Sequence, residues 1–248
     1  MSALDKKRII DIVDCNYIHA SVLFYFGIEF YNYSELTLEQ ACAAKGLKLE
    51  SVVKKLESST LCEEDVALHE FPIDLVIEYL KHAHYIFIKQ KLPYLSRLIE
   101  CLDNHSEGYE AVVKDLKFVF PLFVEDFIHH IYEEEDTLFS YLLSLYHFKK
   151  GRGNISKMYF EMENHSLSSY ASEHQEHDDE MMGIRQITRQ YQLGEKSPLH
   201  LRVVYAELQA LESELKTHAK VENEILFPKA LALEREVNES FKKKIQYN

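Results

Sequence analysis

Two stretches constrain this chain more than anything else in it. They are His130-Ile131-Tyr132-Glu133-Glu134-Glu135-Asp136-Thr137-Leu138-Phe139 and, 88 residues later, His218-Ala219-Lys220-Val221-Glu222-Asn223-Glu224-Ile225-Leu226-Phe227. Each begins with His, has Glu four residues on, and ends in Leu-Phe. Residues four apart on a helix share a face, with Cβ atoms roughly 5–6 Å apart. Each copy therefore aims an imidazole and a carboxylate at one point. Read singly, His-x-x-x-Glu is also an ordinary exposed pair worth roughly 0.2–0.5 kcal/mol. Two copies in one apolar frame need a shared cause, and a metal site built between helices supplies it.

The surrounding chain favours helices throughout. Its 248 residues include only 7 Gly and 5 Pro, and long stretches rich in Leu, Glu, Lys, Ala and Tyr predict an all-α fold. A formal charge of -13 argues against a nucleic-acid binder, which would carry a basic patch. Cys15, Cys42, Cys62 and Cys101 show no Cys-x-x-Cys spacing, so they read as small buried apolar residues rather than a zinc knuckle or disulfide framework. Val22 to Tyr33 is the most apolar run, but it is too short to span a membrane and contains Glu29. Met1 to Ile10 lacks the apolar stretch of a signal peptide. The expectation is a cytoplasmic protein with no membrane partner.

Taken in order, the periodicity predicts a helix over Lys6–Phe26 ended by Gly27, then a capping box at Thr37-Leu38-Glu39-Gln40 opening a short helix that stops at Gly46. Another follows over Leu49–Leu56. Residues 1–60 thus form a small helical domain, small enough to lean on another surface, and pairing with a second copy would make a homodimer. Residues 61–71, with Glu63-Glu64-Asp65, read as a linker. Residues 72–240 then carry four long helical patterns: Pro72–Asp103, Ala111–Lys149, Ser156–Leu193 and Pro198–Glu236. Their short connections predict an antiparallel up-down four-helix bundle. Pro93, Pro121 and Pro228 fall inside these patterns and are expected to kink or end them.

In such a bundle, residues equally far from a connecting loop lie at one height. His130 is 22 residues before the loop near Arg152, and His174 is 22 after it. His174 is 21 residues before the loop near Glu195, and His218 is 23 after it. His130 is 24 residues after the loop near Ser106, and His84 is 22 before it. At ~1.5 Å rise per residue, His177 sits about 4.5 Å off level and His82 about 3 Å off, so both are disfavoured without being excluded; His129 points away from the Glu134 face. The candidate ligand set is His84, His130, Glu134, His174, His218 and Glu222. It is too large for one structural zinc and contains no thiolate. Imidazole with carboxylate suits iron, manganese or zinc, and two metals held between helices answer this ligand count; two irons are the expectation. Glu133, Glu135, Asp136 and Asp178 could hold the histidine N–H groups from behind, or be a solvated face.

These residues resemble a hemerythrin-type bundle, with His130-x-x-x-Glu134 and His218-x-x-x-Glu222 as its two His-x-x-x-Glu helices, His84 before Leu92-Pro93 on the first helix and His174 on the third. Four His and two Glu are similar to the di-iron repair-of-iron-centres proteins of the ScdA type. Gly27-Ile28-Glu29-Phe30 and Leu36-Thr37-Leu38-Glu39-Gln40-Ala41-Cys42 resemble the N-terminal domain of the same proteins. The resemblance implies an oxo- or hydroxo-bridged di-iron centre and a role in restoring iron–sulfur clusters after nitrosative or oxidative damage, with damaged iron–sulfur proteins, oxygen or nitric oxide as partners. One departure stands out. The family's Cys-Cys pair after the Phe is replaced by Tyr31-Asn32, which removes any chemistry of those thiols: the N-terminal domain favours repair, and the missing cysteines leave open the competing expectation of a reversible oxygen or nitric oxide binder or sensor without turnover. A ferroxidase, with steady oxygen consumption, is a third.

Overall fold

Local rules set most of the helix ends. Thr37 Oγ1 accepts from the Gln40 N–H at 3.3 Å while the Gln40 side chain accepts from the Thr37 N–H at 3.0 Å, a reciprocal capping box that starts the helix Leu38–Lys45. Gly46 closes it in the left-handed conformation at φ 66, which costs glycine nothing. The single helix expected over Lys6–Phe26 is instead two, Ile9–Cys15 and Ile18–Tyr25. Asn16 is extended, and its side chain accepts from the Ile18 N–H at 3.1 Å. A short side chain that bonds the backbone two residues ahead competes with the helix, and here it wins.

The computed structural model describes residues 4–58, 67–105, 108–165, 167, 170 and 179–246. The protein is all-α: apart from an isolated antiparallel bridge between Arg8 and Thr37, the regular elements among the described residues are helical. The chain divides into two compact units, one made of Met1–Asp65, Pro93–Lys117 and Ile187–Ala210, the other of Val66–Leu92, Phe118–Gln186 and Leu211–Asn248.

In the first unit the aromatic rings do much of the joining. Tyr94, buried, sits 4.9 Å ring to ring from Phe24, and His200 stacks on Tyr31 at 4.5 Å while bonding the Leu98 carbonyl through Nε2 at 3.0 Å. Arg97 bonds Glu29 at 2.9 Å and Arg202 reaches Asp14 at 2.9 Å.

The second unit holds an apolar core in which Val76, Ile77, Leu80, Phe139, Leu142, Leu145, Leu226 and Ala230 are closed from water. Burying a side chain of this size contributes roughly 1.5–3 kcal/mol, so this core is what keeps the helices in register. Ser140–Lys149 packs against Ile73–Ile86, Ile155–Asn164 and Phe227–Gln246.

The prolines do not end the long helices. Pro121 lies inside Glu110–Glu133, exposed, on a side where water can serve the carbonyl it leaves. Pro93 and Pro228 each follow a π-helical turn, Phe87–Lys91 and Glu222–Leu226, that ends two residues earlier. Proline cannot donate to the carbonyl four residues back and crowds it; a wider turn just upstream lets the helix continue. The third long pattern ends early: its described parts are Ile155–Asn164 and Met182–Ile187. Arg189, Gln190 and Tyr191 then take φ of 51, 59 and 58. Tyr191 N–H donates to Thr188 Oγ1 at 3.3 Å and Gln192 N–H to the Thr188 carbonyl at 3.2 Å, which holds this left-handed turn against a cost of about 1–2 kcal/mol per residue.

Candidate metal centre

Three helices of the second unit bring polar residues into its apolar interior. His84 comes from Ile73–Ile86, Glu134 opens the π turn Glu134–Phe139, and His218 lies in the last turn of Leu199–Val221, just before the π turn that begins at Glu222. All three π turns described lie at or just after one of these residues. An extra residue in a turn is costly to the hydrogen-bond ladder and recurs at functional sites. At Glu134–Phe139, which lacks a proline, Thr137 Oγ1 donates to the Glu133 carbonyl at 2.5 Å, serving an acceptor of the kind a π turn displaces.

The ligand atoms of His84, Glu134, His218 and Glu222 all lie within 4.8 Å of one another. His84, Glu134 and Glu222 are each 1% exposed, and the His218 side chain is 10% exposed. His84 Nε2 stands 3.0 Å from His218 Nε2 and 3.4 Å from Glu134 Oε2, and His218 Nε2 is 3.0 Å from Glu222 Oε1. On its other side His84 Nδ1–H donates to Glu135 Oε1 at 2.8 Å. That bond fixes the tautomer, so the Nε2 lone pair points into the cluster. Of the acids flagged as candidates to hold the imidazoles, Glu135 does so, while Glu133 and Asp136 are exposed.

The electrostatics fit a cation. Burial, with the neighbouring His218 ring, pushes the His84 imidazole down to about 3, which keeps it in its neutral, metal-binding form. Burial, then Glu222, pushes the Glu134 carboxyl well above the usual range. Two facing imidazole nitrogens and two buried carboxylates repel unless protons or a positive ion sit among them. Buried His218 Nδ1 lacks a hydrogen-bond partner among the described residues. A divalent ion answers this donor set of imidazole and carboxylate.

His130 is placed differently from the four. It lines the cavity of about 30 Å³ beside the cluster, together with Phe127, Ile131 and Leu215. Its side chain is 41% exposed, and its Nε2 lies 3.9 Å from Glu180 Oε1. His82 and His129 are exposed. His174, like His177 and Asp178, lies outside the described residues. Glu180, which also lines the cavity, escaped the sequence analysis because it belongs to no repeat and to no helical face.

The model of the "Hemerythrin HHE cation binding domain" family matches residues 76–230, a span that contains every residue of the cluster. The chain belongs to the hemerythrin family. Among curated relatives, the hemerythrin-family chain is 22% identical over 236 residues to the iron-sulfur cluster repair protein ScdA of Staphylococcus epidermidis, covering 91% of this chain and 99% of that protein. It is 24% identical over 217 residues to the iron-sulfur cluster repair protein YtfE of Cronobacter sakazakii, covering 87% and 92%. The ScdA of Staphylococcus haemolyticus is 20% identical over 233 residues, covering 91% and 98%. None of the helices described is long and apolar enough to cross a membrane.

Proposed function

We propose that this chain is a non-haem di-iron protein that serves the repair of iron–sulfur clusters damaged by nitrosative or oxidative stress. The observation that carries the reading is the gathering of His84, Glu134, His218 and Glu222 inside an apolar core of a hemerythrin-family domain. Its support beyond the site is the length of the match to ScdA and YtfE, which includes the N-terminal part of the chain. The proposed protein ligands are His84, His130, Glu134, His174, His218 and Glu222, with His177 as the competitor of His174.

Held there, iron supplies a redox couple and an exchangeable ion for a gas ligand or a client cluster. The protein's own share is orientation and charge. Glu135 holds the His84 ring, the two buried carboxylates offset the positive charge, and Phe87, Phe127 and Phe139 pack against the imidazoles and limit water. Low water content strengthens every charge interaction within such a site.

The test is to mix the reduced, iron-loaded protein with a nitric-oxide-damaged cluster enzyme and follow enzyme recovery together with the iron content of both partners. Recovery with iron passing to the client supports iron donation; recovery with nitric oxide retained on this protein supports gas removal. No recovery, with reversible gas binding, replaces the proposal by a carrier or sensor, the reading that Tyr31-Asn32 in place of two cysteines leaves open. Steady oxygen consumption with ferrous iron replaces it by a ferroxidase.

A further inference from the structure

The cavity beside the buried cluster is also lined by a carboxylate that neither the His-x-x-x-Glu repeat nor the four-residue cluster includes. Glu180 lines the same cavity as His84, His130, Glu134, His218 and Glu222. Its Oε1 lies 3.9 Å from His130 Nε2, with the two side chains 29% and 41% exposed. Two donors bound to one ion at about 2.1 Å each cannot be more than roughly 4.2 Å apart, so this pair is already within the span of a shared ion.

The backbone around Glu180 is anchored by contacts that the cluster itself does not use. Arg185, only 17% exposed, places one arm on Glu212 Oε1 at 2.8 Å and the other on Asp179, the residue before Glu180. Glu212 is buried and also takes Lys216. Met181 and Ile184, on the other side of Glu180, are 2% and 1% exposed. With a guanidinium on the residue before it and a buried methionine after it, the Glu180 backbone is anchored beside the cavity, which is what a ligand position needs and a solvated surface acid does not.

We propose that Glu180 is a metal ligand, forming with His130 the outer of two ion positions whose inner position is made by His84, Glu134, His218 and Glu222. This inference rests on the metal-binding reading given above and assigns different donors to its two ions. The inner position has its donors buried and mutually close; the outer one has, among the described residues, two donors at the solvent side of the cavity, where an ion enters and leaves. A carboxylate and an imidazole there select a borderline divalent ion, Fe²⁺, Mn²⁺ or Zn²⁺.

The experiment uses the full chain, stripped of metal and titrated anaerobically with Mn²⁺ against a competing chelator, for the parent protein and for Glu180→Gln, Glu180→Asp and Asp179→Asn. The parent is expected to bind two ions. Glu180→Gln is expected to keep one at parental affinity and to bind the second at least ten-fold more weakly, with the electron paramagnetic resonance signal changing from that of a coupled pair to that of an isolated ion. Glu180→Asp should recover part of the loss, and Asp179→Asn should weaken the second ion only, by a smaller factor. Two unchanged affinities in Glu180→Gln, with far-UV helicity intact, overturn the inference and leave Glu180 a surface partner of His130. A parent that binds a single ion also overturns it. A parent that binds no ion brings down the metal-binding reading itself.

Discussion

Replacing Glu135 by Ala isolates what holding an imidazole is worth. His84 Nδ1–H donates to Glu135 Oε1 at 2.8 Å, and the His84 side chain is 2% exposed, so the carboxylate and not bulk water orients the ring. The ring would then be free to carry its proton on Nε2, which faces His218 and Glu134 and must be bare to bind an ion. Removing the partner that orients a ligating histidine costs about 10–100-fold in metal affinity, or about 1.4–2.8 kcal/mol. The same loss appears in thermal unfolding. Saturating metal stabilises the fold in proportion to the logarithm of its affinity, and for a chain of this size 1 kcal/mol moves the midpoint by roughly 2–4 °C. The metal-induced rise in Tm should therefore shrink by about 3–11 °C. Chelator competition gives the affinity, and calorimetry with and without metal gives the Tm difference. Asp136→Ala is the control, since Asp136 is exposed and next in sequence. An affinity for Glu135→Ala within two-fold of the parent, or an equal loss in Asp136→Ala, would refute the reasoning.

Three further outcomes are expected. Glu134→Ala or Glu222→Ala should lower bound iron below two per chain while far-UV helicity survives; unchanged metal analysis would strike that residue from the ligand set. Thr37→Ala removes the hydroxyl that accepts from the Gln40 N–H, leaving the bond from the Thr37 N–H to the Gln40 side chain, and should destabilise the protein by about 1 kcal/mol in urea unfolding; no change in midpoint would show the helix to be held by packing alone. Burial pushes the His200 imidazole down to about 4 from 6.5. The unfolded chain then gains a proton below 6.5 that the folded one refuses until about 4. Stability should be level above that window and fall through it as pH drops, by at most about 1.4 kcal/mol per pH unit. His200→Phe should flatten the profile over that range, and an unaltered slope would assign it to other groups.

What the chain determines by itself is local. Few glycines and prolines and a 3.6-residue apolar period make it helical, and Thr37 with Gln40 and Gly46 set ends within reach of their own neighbours. Four-residue spacing puts each His on the same helix face as its Glu. These relations span a turn or two, so the backbone enforces them wherever the helix lies. Tertiary packing decides the rest. Whether His84 Nε2 meets His218 Nε2 at 3.0 Å while His130 stands at the cavity's outer side depends on how helices far apart in sequence share one core. The same holds for Glu135 behind His84, and for Glu180 beside Asp179, which is gripped through Arg185 by Glu212. The π turns before Pro93 and Pro228, and the left-handed residues 189–191, break helical period at a local cost. Such a cost is met only by packing between distant segments, which no window of sequence contains.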